Sequence, residues 1–125
     1  MSPDFRKLRQ IAESEIASVL ESLPRELSTE ARPLPVLFET LPGPSLLADG
    51  IEPDTLGLFV GEPFVEIAST SSPLPSQIVL FLQNIWEAAG HVEGTFRKEV
   101  RTTYLHELGH FLGLDESDLE ERGLG

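Results

Sequence analysis

The chain carries 21 acidic against 9 basic residues over 125 positions, a formal net charge of −12. That length suits one domain with one hydrophobic core, read as residues 1–125, and that charge argues against nucleic acid or an anionic membrane as partner. The absence of cysteine excludes a disulfide framework and leaves His, Asp and Glu to build any metal site.

Ser2 can cap and Pro3 can open a first helix, after which Phe5, Leu8, Ile11, Ile16, Val19, Leu20 and Leu23 recur at helical spacing up to Pro24. The helix is expected over Pro3 to Leu23. Its charged, amphipathic character is unlike an export signal, and no apolar run approaches the ~18 residues of a membrane span. A soluble, cytoplasmic protein is expected.

From Pro33 to Pro75 prolines and glycines come too often for another long helix. Two short β-favouring runs stand between them, Val36-Leu37-Phe38 and Leu56-Gly57-Leu58-Phe59-Val60. Phe64-Val65-Glu66-Ile67 alternates like an edge strand, and Gln77 to Gln83 forms a continuous apolar run suited to a buried strand. The segments Leu41-Pro42-Gly43-Pro44-Ser45 and Ser69-Thr70-Ser71-Ser72-Pro73 read as connections.

Thr95 is expected to cap a long helix that ends at Leu112, where Gly113 can turn the chain left-handed. Ser117-Asp118-Leu119-Glu120 has capping-box form and predicts a last short helix. The order is helix, strands, helix, helix.

The long helix contains His106-Glu107-Leu108-Gly109-His110. At ~100° per residue the two imidazoles stand roughly 40° apart and one turn from each other, so both can reach one metal ion. Phe96, Val100, Tyr104, Leu105, Leu108, Phe111 and Leu112 form the opposite, core-facing surface. Glu107 lies on the flank of the histidine face, where a carboxylate can serve as general base to a water on the metal. Thr103 and Glu99 fall on the histidine stripe and are expected to be exposed positions without further role. Tyr104 falls almost opposite, which assigns it to the core.

A catalytic zinc takes three protein ligands and keeps one position open. Gly113 can swing the chain back, and Glu116, three residues later, is the first choice for the third ligand. Asp115 and then His91 are the alternatives.

The pattern His106-Glu107-x-x-His110-x-x-Gly113-x-x-Glu116 resembles the extended motif of the zincin metallopeptidases. Together with Leu56-Gly57-Leu58-Phe59 and the run Arg101 to Leu114, it looks like the small bacterial "minimal zincin" family. That resemblance implies an α+β fold with an N-terminal helix, a small twisted mixed sheet of three or four strands, the motif helix and a short C-terminal helix. It implies a Zn²⁺-dependent peptidase acting on a peptide or protein substrate, with Glu107 as base and His106, His110 and Glu116 as ligands. The family usually has Asp where this chain has Glu116. The only methionine is Met1, so the Met-turn of the metzincins is missing, and the third ligand is expected locally. The rival reading is a zincin-like module that binds metal or protein without turnover.

Overall fold

The computed structural model describes residues 3–61 and 76–121, and of Glu116 the backbone alone. Helix α1 (Phe5–Ser22) buries Leu8, Ile11, Ala12, Ile16 and Val19, one stripe at the spacing the sequence predicts. It starts two residues later than expected, because the Asp4 side chain accepts the Lys7 N–H at 2.9 Å and acts as the cap. A second helix, α2 (Arg25–Ala31), follows directly behind Pro24. It was not predicted, since Ala31 is its one buried residue and it carries no apolar stripe to betray it.

Strand β1 (Val36–Glu39) leads to α3 (Pro44–Ala48), which starts inside the expected Leu41–Ser45 connection with Gly43 as cap and Pro44 in the first turn. Strands β2 (Gly57–Val60) and β3 (Gln77–Phe81) complete a three-stranded sheet in the order β1-β3-β2. The β1–β3 pair is parallel and the β2–β3 pair antiparallel, so the sheet is mixed, as the resemblance implies. The segments Phe64 to Ile67 and Ser69 to Pro73 lie outside the described residues.

The central strand explains its own sequence. Ile78 and Leu80 point to one face and Val79 and Phe81 to the other, and all four are buried. The apolar run continues past the strand, however: Leu82 opens helix α4 (Leu82–Ala88), in which Leu82, Ile85 and Trp86 are buried at helical spacing. The expected strand to Gln83 therefore ends at Phe81, because a continuous apolar run does not show where its period changes from two to 3.6.

Helix α5 (Glu93–Leu112) is the backbone of the molecule. Val92, not Thr95, stands at its N-cap, and the Val92 carbonyl accepts the Phe96 N–H at 2.8 Å. Phe96, Val100, Tyr104, Leu108 and Phe111 are buried against α1, α4 and the inner face of β2 and β3. Phe111 meets Phe59 of β2 with ring centroids 5.8 Å apart. Burying one such phenylalanine is worth ~2–3 kcal/mol by area, so this seam fixes the helix firmly to the sheet. Helix α6 (Glu116–Glu121) is the last described element and buries Leu119. No helix among the described residues is long and apolar enough to cross a membrane.

Candidate metal centre

His106 and His110 stand on the exposed flank of α5, one turn apart, with ring centroids at 4.7 Å. Glu107 sits between them in sequence but on the edge of the buried face, only 8% exposed. Its Oε2 lies 3.0 Å from His110 Nδ1, within ion-pair distance when the ring is protonated. Nitrogen and oxygen atoms of these three side chains all fall within 4.8 Å of one another, the one cluster of this kind among the described residues.

The end of α5 is built to bring the chain back beside the histidines. Gly113 has φ 74° and ψ 26°, left-handed as the sequence predicts. The Gly113 N–H donates to the His110 carbonyl at 3.3 Å and the Leu114 N–H to the Gly109 carbonyl at 2.8 Å, the two bonds of a Schellman turn. The returning chain lies on Gly109 so closely that a Cβ there would stand 3.0 Å from the Leu114 carbonyl oxygen. A groove of ≈ 520 Å³ results, lined by His106, Gly109, His110, Gly113, Leu114, Asp115 and Leu119.

The three candidates for a third ligand fare differently. Asp115 lines the groove, but its Oδ1 accepts the Asp118 N–H at 2.8 Å while Asp118 Oδ2 accepts the Asp115 N–H at 3.1 Å. Asp115 therefore caps α6, and the expected Ser117 capping box gives way to one two residues earlier. Glu116 follows as the first residue of α6. His91 is remote: it precedes α5, and the rise of that helix separates it from His106 by about 20 Å. Its ring bonds Glu87 at 2.9 Å and stacks on Trp86, and that bond, with a second from Gln83, holds the Glu87 carboxyl below its usual range.

The family model of zincin-like metallopeptidases matches residues 31–125. The chain belongs to that family. No curated protein matches the chain. The matched span of this zincin-like protein begins after α1, although α1 shares its core with the motif helix. The donors fit the metal such a family implies, since the two imidazoles that line the groove and the Glu107 carboxylate within 4.8 Å of them offer nitrogen and oxygen atoms of the type zinc takes.

Two residues near the motif were misread or missed. Thr103 is buried at 8%, not exposed, because β2 covers that flank of the helix. Gly57 of β2 lies directly over Thr103 and Glu107. A glycine inside a β-favouring run is itself a signal of close backbone approach. Tyr104, by contrast, is fully buried as expected, and burial pushes its phenol up to about 12.

Proposed function

We propose that residues 1–125 form one zincin-like domain acting as a zinc-dependent peptidase on peptide or protein substrates. The observation that carries this reading is the convergence of His106, Glu107 and His110 within 4.8 Å beside the groove that the Schellman turn creates. His106, His110 and Glu116 would hold the ion. When bound, zinc supplies a Lewis acid that acidifies water and polarises the scissile carbonyl. Glu107 then takes the proton of the attacking water on its carboxylate and returns it to the leaving amine. Its mostly buried position suits this work, because a carboxylate with few competing waters keeps one orientation. The acidic, cysteine-free chain fits a cytoplasmic protein that does not engage nucleic acid or an anionic membrane.

The exposure of both imidazoles favours a second reading, a metal- or protein-binding module without turnover, because hydrolysis profits from a water-excluded site. Metal analysis after zinc loading, beside a panel of peptides and denatured proteins, separates the two. The peptidase reading expects about one zinc per chain, lost in His106→Ala, and peptide cleavage that Glu107→Gln abolishes while keeping the zinc. Zinc without cleavage of any substrate would leave the module; cleavage undiminished in Glu107→Gln would remove Glu107 from the reaction.

A further inference from the structure

Gly57 faces Leu80 across the β2–β3 ladder, on the side of the sheet turned to the motif helix. A Cβ built on Gly57 would stand 2.6 Å from Thr103 Cγ2, 3.2 Å from Leu80 Cδ2 and 3.5 Å from Glu107 Cγ. The first distance is shorter than real Cβ contacts, so strand and helix approach this closely only because residue 57 has no side chain. Thr103 and Glu107 are four residues apart, neighbours on one helical face. Both are buried at 8%. Thr103 is also β-branched and stiff at χ1, so its methyl is a fixed wall. The stem of Glu107 thus passes the bare Cα of Gly57 beside that methyl, and its carboxylate reaches to within 3.0 Å of His110 Nδ1.

We propose that Gly57 and Thr103 are positioning residues for Glu107. The missing side chain of Gly57 lets β2 settle onto Thr103, and the two together confine the Glu107 stem so that its carboxylate is presented to the histidine pair. Only the kinetic consequence rests on the peptidase reading; the positioning itself belongs to the metal-free protein.

The test compares wild type with Gly57→Ala, Thr103→Ser and the double variant Gly57→Ala/Thr103→Ser. Serine removes the methyl that the new Cβ would strike and keeps the hydroxyl. NMR of the metal-free proteins reports the contact between the His110 ring and the Glu107 side chain, and with three histidines in the chain the ring resonances are readily assigned. Wild type should show nuclear Overhauser contacts between the His110 ring and the Glu107 side chain, whose Nδ1 and Oε2 lie 3.0 Å apart. Gly57→Ala should lose that signature, and the double variant should regain it. Where cleavage is measurable, Gly57→Ala should lower kcat by about 10- to 100-fold with zinc content unchanged and KM within about twofold, and the double variant should recover most of the loss. Should Gly57→Ala fail to fold, Thr103→Ser decides: a slackened wall should weaken the His110–Glu107 signature, and an unchanged signature overturns the proposal. An intact contact in folded Gly57→Ala, or a loss that the double variant does not repair, overturns it equally. Failure of wild type to take up zinc would end the peptidase reading while the side-chain contacts read by NMR still decide the positioning.

Discussion

Gly109→Ala probes how the chain returns to the histidines. The added methyl would meet the Leu114 carbonyl oxygen at 3.0 Å and Leu119 Cδ1 at 3.3 Å. Leu119 can rotate, but Leu114 is tethered, since its N–H donates to the Gly109 carbonyl at 2.8 Å. Yielding by a few tenths of an ångström at that tether costs about 1 kcal/mol, the net worth of one such bond. Against this stands the gain of alanine over glycine inside a helix, about 0.5–1 kcal/mol. The two nearly cancel in global stability, so metal-free unfolding should shift by less than about 1 kcal/mol. They do not cancel at the site. The propensity gain stays in α5, whereas the displacement falls on the segment that carries Asp115 and Glu116. Zinc affinity should therefore drop about tenfold, or ~1.4 kcal/mol. Urea unfolding at fixed free zinc reads this directly, because the metal stabilises the folded state by RT ln(1 + [L]/Kd). Equal zinc-induced stabilisation of both proteins would refute the reasoning.

Two further outcomes follow from single residues. Tyr104 Oη is buried and finds no hydrogen-bond partner among the described residues, so Tyr104→Phe should leave stability unchanged or raise it by up to about 1 kcal/mol in denaturant unfolding. The same burial raises the phenol from 10.0 to about 12, which makes the folded state the stronger proton binder. Its contribution is whole below about pH 10 and is lost as pH rises toward 12, on the order of 2 kcal/mol. Because the chain has one tyrosine, phenolate absorbance follows it alone, and a midpoint near 10 in protein that is still folded would contradict the burial argument. For Asp115, Asp115→Ala should cost about 1 kcal/mol through loss of the α6 cap, while Asp115→Ser, which keeps a capping oxygen, should cost little. With Glu116 as the third ligand both variants should still bind zinc, and loss of zinc in Asp115→Ser would transfer the ligand role to Asp115.

Much of the fold was legible locally. The stripe Leu8 to Val19, the strand runs at Val36 and Leu58, the motif face of α5 and the left-handed stop at Gly113 all appear where short-range pattern places them. Helices α2 and α4 were not, because one buries a single alanine and the other begins within an apolar run shared with β3. The N-caps moved by a few residues for a related reason. Ser2, Thr95 and Ser117 have capping chemistry, but Asp4 and Asp115 make the bonds at two helix starts, and Val92 holds the third without a side-chain bond.

By itself the sequence determined which side chains can share a metal, since His106 and His110 are one turn apart on any helix and Glu107 must lie beside them. It determined that the helix must stop at Gly113, whose backbone conformation costs other residues energy. Only the tertiary structure decided that β2 lies over Thr103 and Glu107, that Asp115 is engaged as a cap, and that His91 is held at the far end of α5 against Trp86 and Glu87. Helical rotation sets the order of side chains around an axis. Which arc of that circle is covered depends on what packs against it, and here that is a strand nearly fifty residues upstream, drawn close by the single hydrogen atom that Gly57 presents in place of a side chain.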